Sequence, residues 1–137
     1  MVTLPVLSFQ TEYAYHDPLQ GGILVPVQLA TDRSIRLYAY VDTVAADCIF
    51  QKEYGEALGL ETRSGIPRRF STASGGTLVA YGHNLCLSTL GHSLDSLVYF
   101  ADDAQFRRNV LGRQGWLNRL KLGIVHYDSR LYMDPYD

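Results

Sequence analysis

An all-β fold, closed or nearly closed into a barrel and carrying one or two short helices, is what this sequence predicts. Three observations carry that expectation. Short runs alternate apolar and polar residues from Ile23 onward, turn-forming clusters divide them, and only two brief stretches, Gln51 to Leu60 and Gln114 to Leu120, show helical spacing. At 137 residues the chain has room for one core and not for two ordinary ones, so a single domain over residues 1–137 is expected.

From Ile23 to Leu29 and from Ser34 to Tyr40 the alternation predicts a β-hairpin, turning through the polar Ala30-Thr31-Asp32-Arg33. The second strand runs into Val41-Asp42-Thr43, which puts Asp42 at a strand end before a short loop, where the strand fixes a side chain and the loop exposes it. Tyr54, Ala57 and Leu58 fall at helical spacing, ended by Gly59, and predict a short helix. Ser64 to Pro67 is turn-rich. Two strand-like runs between Arg68 and Ser88 then flank Ala73-Ser74-Gly75-Gly76, a cluster suited to a hairpin tip that opens and closes. Strands at Leu85 to Leu90 and Ser93 to Phe100 meet at a tight turn around Gly91, and Asp102 to Arg108 is a polar loop. Asn109 to Arg113 is a short apolar strand. The stretch Gln114 to Leu120 puts Trp116, Leu117 and Leu120 on one helical face, making Trp116 a core anchor. A hairpin, Lys121 to His126 and Arg130 to Met133, closes the chain.

Bulk properties exclude several functions. A net charge of −2, with arginine pairs only at Arg68/Arg69 and Arg107/Arg108, gives no field to draw nucleic acid. No apolar run approaches the length that crosses a bilayer, so no membrane partner is expected. The stretch Met1 to Leu7 lacks a basic start and a cleavage site, which makes a cytoplasmic protein with reduced Cys48 and Cys86 the expectation. His16, His83, His92 and His126 show no metal-ligand spacing, the cysteines form no Cys-x-x-Cys, and neither a nucleophile elbow nor a phosphate-cradling loop is present. No metal and no cofactor is expected.

Three features occur in order: Asp42-Thr43-Val44-Ala45, the glycine-bearing hairpin Ala73 to Gly76, and Val110-Leu111-Gly112-Arg113. In that order they resemble the Asp-Thr-Gly-Ala loop, the flap and the apolar-apolar-Gly-Arg unit of retropepsin-like, retroviral-type aspartic proteases in their bacterial-like single-domain form. The resemblance runs from Ile23 to the C-terminus. It implies an acid-protease barrel half and an aspartic endopeptidase with polypeptide as substrate. Asp42 would be the catalytic aspartate, Thr43 the hydroxyl that bonds across a dimer axis, and Ala45 a groove-lining residue. Ala73, Ser74, Gly75 and Gly76 would close over substrate, while Gly112 would let the following helix approach and Arg113 would brace the loop.

The chemistry makes the same demand. Hydrolysis without a metal or a covalent intermediate needs a base to activate water and an acid to polarise the carbonyl. Two carboxylates in contact supply both, because like charges cannot both ionise there, as aspartic-protease dyads in general illustrate. The chain has one such motif, so a homodimer must bring two copies of Asp42 together. Two departures support an alternative, a catalytically impaired peptide-binding or dimerisation module. Val44 stands where the family has glycine, adding bulk and disfavouring positive φ, and Ala46 stands where an acidic partner for Arg113 is common, leaving Asp47 or Asp95 as acceptors. A third reading, a small-ligand β-barrel, calls for a closed monomeric cavity.

Overall fold

The computed structural model describes residues 3–4, 6–16 and 21–136; of the N-terminal stretch read above for targeting, Met1, Val2 and Pro5 lie outside them. The predicted first hairpin is present. β2 (Leu24–Ala30) and β3 (Ser34–Val41) pair antiparallel with Val27 opposite Leu37. Before them β1 (Thr11–Ala14), unforeseen from the sequence, pairs with a strand from the far end of the chain. β4 (Ile49–Phe50) leads into α1 (Lys52–Ala57). Gly59 at φ +79° ends that helix, with Leu60 N–H donating to Gly55 O at 3.1 Å and Gly59 N–H to Glu56 O at 2.9 Å, a paired C-terminal closure.

β5 (Ile66–Ser71) and β6 (Thr77–Thr89) form the long hairpin, and β7 (His92–Ala101) follows a turn with positive φ at Leu90 and Gly91. The two strands expected on either side of residue 85 are one. β6 buries Leu78 and Ala80 on one face and Leu85 and Leu87 on the other, in two separate apolar clusters, and Gly82 lies between them where a Cβ would stand 3.0 Å from the Tyr99 ring and 3.1 Å from Leu97. β8 (Val110–Leu111) is shorter than the expected Asn109 to Arg113, and β9 (Leu120–Val125) and β10 (Arg130–Pro135) make the closing hairpin.

The main sheet has the order β2-β3-β8-β4-β7-β6-β5, and β6 also pairs with β2 through Leu87 and Leu29, closing it into a barrel. β1, β10 and β9 form a second, three-stranded sheet. The alternation in β2 explains the main core. Val25, Val27 and Leu29 point inward onto Leu37, Phe50, Leu87, Phe100, Leu111 and Trp116. A second cluster, with Ile49, Leu78, Tyr99 and Val110 at its centre, packs against Tyr40, Ala45 and Phe70.

The helix expected from Gln114 to Leu120 does not form; a 3₁₀ turn at Leu117–Arg119 is the only helical part. Gln114 N–H is spent on Ala46 O at 2.9 Å, and Gly115 at φ +92° turns the chain so that Trp116 drops fully into the core. Trp116 is therefore a core anchor, placed by a turn and not by a helical face.

Candidate active site

β3 and β8 run parallel, Tyr40 beside Val110 and Val41 beside Leu111. Asp42 N–H continues the ladder by one bond, to Leu111 O at 3.0 Å, so the first loop residue is held as firmly as a strand residue. The loop then folds back on the Asp42 side chain: Oδ1 accepts Val44 N–H at 3.0 Å and Ala45 N–H at 3.1 Å. Among the described residues Oδ2 has no hydrogen-bond partner. One carboxylate oxygen is thus clamped by main chain and the other is open. That geometry suits a carboxyl group meant to meet something from outside.

Thr43 is exposed, and Ala45 is half-buried against the second apolar cluster. Val44 is 83% exposed, and its backbone is not in the left-handed region: among described non-glycine residues only Leu90 and Ser129 have positive φ. The expected clash between a β-branched residue and a glycine-only conformation is therefore absent. What Val44 contributes is an apolar side chain standing in solvent beside Asp42.

Gly112 does not serve the approach of a helix. It lets the Asp42 loop lie against β8, since a Cβ there would stand 2.6 Å from Asp47 C and 2.8 Å from Ala45 O. Arg113 braces the loop through main chain: its N–H donates to Ala45 O at 2.9 Å and its Nε to the same oxygen at 3.4 Å. Neither proposed carboxylate is its acceptor. Asp95 offers its backbone oxygen to Arg119, and Asp47 is taken by Arg68, whose Nη1 stands 2.6 Å from Oδ2.

Sequence reasoning passed over that last pair. Asp47 is buried at 4% exposure, and burial pushes its carboxyl up against the opposing pull of Arg68 and Arg113. The signal was available in β5, where Arg68 and Phe70 share the inward face. Next to it the Cys48 thiol is pushed up to about 12 by burial, while its sulfur accepts Gly112 N–H at 3.4 Å.

The tip residues Ala73 to Gly76 are all exposed. Thr72 organises them: its N–H donates to Gly76 O at 2.9 Å, its hydroxyl accepts Gly76 N–H at 2.9 Å, and Gly75 sits at φ +87°. No hydrogen bond joins the tip to the Asp42 loop among the described residues. The two are linked lower down, through Arg68 and Asp47. An open cleft of about 600 Å³ against Pro26, Arg36, Tyr38 and Leu90 shares no residue with this site.

A closed barrel with an Asp-Thr loop mounted between parallel β3 and β8 and a projecting hairpin β5–β6 is the retropepsin-like all-β fold. The chain is similar in structure to a retropepsin-like aspartic protease from Rickettsia conorii, with a TM-score of 0.67 over 90% of this chain and 98% of that chain, at 20% sequence identity. No protein-family model and no curated protein matches the sequence. Among the described residues no group of three or more His, Cys, Asp or Glu could hold a metal ion, and no helix is long and apolar enough to cross a membrane.

Proposed function

We propose that this chain is an aspartic-type endopeptidase that works as a homodimer on extended polypeptide. The observation that carries the reading is the mounting of Asp42, one oxygen clamped by two main-chain N–H groups and the other open. Across a two-fold axis the open oxygens of two copies would share one proton. The ionised carboxylate takes a proton from water as the water oxygen bonds to the peptide carbon, and the protonated one donates to the carbonyl oxygen. Collapse of that adduct breaks the C–N bond as the protonated carboxyl gives its proton to the leaving amine and the ionised one takes a proton from the hydroxyl that becomes the new carboxyl group's carbonyl oxygen. Thr43 would bond across the axis, and the hairpin at Ala73 to Gly76 would lie on the peptide as an added strand does.

The test is peptide cleavage by the purified chain beside Asp42→Asn, with sedimentation run on both. Activity should fall by about 10²-fold or more in the variant, the scale of general acid–base catalysis. Cleavage that survives the substitution, or a chain monomeric at every concentration tested, would sink the proposal. A second reading, a peptide-binding or dimerisation module, is favoured by the exposed Val44 beside the carboxylate. It requires that the parent cleave nothing and that Val44→Gly create cleavage.

A further inference from the structure

β5 is an edge strand. Among the described residues its one neighbour in the sheet is β6, and since β7 covers the other side of β6 only as far as Ala80, the hairpin runs on past Arg68 and Ala80 to Gly75 as a two-stranded arm. Isolated two-stranded arms are marginally ordered, and something beyond the ladder must set the position of this one. Two inward side chains of β5 reach the barrel. Phe70 packs edge-on against Tyr99, ring centroids 5.3 Å apart. Arg68 crosses the Phe70 ring at 4.8 Å and the Tyr99 ring at 5.7 Å and ends on Asp47.

Asp47 is no ordinary surface acceptor. It belongs to the segment that begins at Asp42, pairs with Gln114 in a parallel bridge, and has its carbonyl pressed against Gly112. Its position is thus fixed by the same contacts that fix the Asp42 loop. From the geometry we propose that the Arg68–Asp47 contact is a latch tying the hairpin arm to the Asp42 loop, which makes Arg68 a positioning residue for substrate closure.

The latch deepens the protease reading and rests on it for its role in closure. Three features distinguish it from a bridge kept for stability. Arg68 lies over the Phe70 and Tyr99 rings of arm and barrel and closes on Asp47 Oδ2 at 2.6 Å, so one side chain touches all three parts. Burial holds the Asp47 carboxyl above its usual range even with Arg68 in place, so desolvation outweighs the attraction. The other cation near Asp47, Arg113, is already engaged with Ala45 O and comes from the segment after β8, not from the arm. An ion pair that costs burial and joins a projecting arm to a loop specifies a position more than it adds stability.

Amide hydrogen exchange on the whole chain tests this, comparing the parent with Arg68→Gln, Asp47→Asn and Arg68→Lys. In the first two, amides of residues 69–79 should exchange about tenfold faster, as opening of the arm becomes easier by about 1.4 kcal/mol. Amides of β2, β3 and residues 85–89 should be unchanged. Arg68→Lys, which keeps the charge, should restore most of the protection. In peptide cleavage the same two variants should raise KM several-fold and leave kcat nearly unchanged. Equal acceleration throughout the barrel, or no acceleration in residues 69–79, overturns the latch. The exchange readout needs no activity, so a parent that cleaves nothing defeats the protease reading while the latch stands or falls on exchange alone.

Discussion

Replacing Gly112 by alanine tests whether main-chain proximity is what seats the Asp42 loop. The added methyl would stand 2.6 Å from Asp47 C and 2.8 Å from Ala45 O, with Asp47 O nearer still, whereas ordinary contact begins at 3.4 Å. These neighbours are backbone and cannot rotate away. β8 and the loop would have to part by about 1 Å, which overpacking data place at about 1–3 kcal/mol. The separation also stretches the bonds that cross the gap, Arg113 N–H to Ala45 O and Gln114 N–H to Ala46 O, each 2.9 Å; weakening one adds about 1 kcal/mol. A loss of about 3 kcal/mol lowers the melting temperature of a domain this size by about 10 °C. Gly91→Ala is the control: at φ +84° with nothing within 4 Å, it meets only backbone strain, worth about 1–2 kcal/mol. Thermal melts of both variants beside the parent decide the matter. A Gly112→Ala melt within about 2 °C of the parent, or a loss no greater than that of Gly91→Ala, would refute the reasoning.

Two further expectations follow from the environment of the loop. With its thiol pushed up to about 12 and buried, Cys48 should resist an alkylating reagent in the folded chain while half-buried Cys86 reacts, so native labelling should stop near one thiol and denatured labelling reach two. Asp47 carries a raised pKa, so the folded state holds its proton to higher pH than the unfolded state does. Its contribution therefore falls as pH rises from its ordinary value of 3.8 through the raised one, and the cost of ionising a buried group appears in that window. Melts of the parent and Asp47→Asn from acid to neutral pH should show the variant gaining relative to the parent as pH rises. A flat difference, or one of opposite sign, contradicts the assignment; the lowered pKa of Asp102, held by Arg63, is common to both proteins and cancels.

The parts of this fold that were legible in the sequence are those whose causes are local. The β2–β3 hairpin follows from period-two alternation and a four-residue polar turn, and α1 from Leu58 and the helix-ending Gly59. Asp42 at the end of β3 came with that hairpin. Other features depend on residues far along the chain. The stretch after Gln114 leaves the helical pattern because Gly115 at φ +92° and Trp116 at φ −146° turn the chain so that the indole enters the core, and β1 exists because β10 lies beside it. The acceptor of Arg113 was sought among carboxylates, yet the loop offered a closer one in the carbonyl of Ala45, and Asp47 had been claimed by a cation on the arm. Alternation can place Arg68 on an inward face; it cannot say what waits there.

Val44 separates two properties that are easily merged. The mount of Asp42 uses the main-chain N–H groups of residues 44 and 45, so the monomer holds its carboxylate in the same way whatever side chain stands at 44. In the proposed homodimer that side chain would govern the encounter with the second copy. At 83% exposure it has nearly its whole apolar surface to bury, worth about 1.5–3 kcal/mol per fully covered valine. A two-fold assembly closing on Asp42 would cover two of them, so valine favours association more than glycine does. In such an assembly the same two groups would stand beside the two Asp42 carboxyl groups, where a water and a peptide carbonyl must fit. If the chain is the proposed dimeric protease, association and hydrolysis pull in opposite directions at this residue. Val44→Gly should weaken the dimer, seen as a shift of its sedimentation midpoint to higher concentration, and raise turnover per dimer. Both quantities moving together would mean that Val44 acts through the mounting of Asp42 after all.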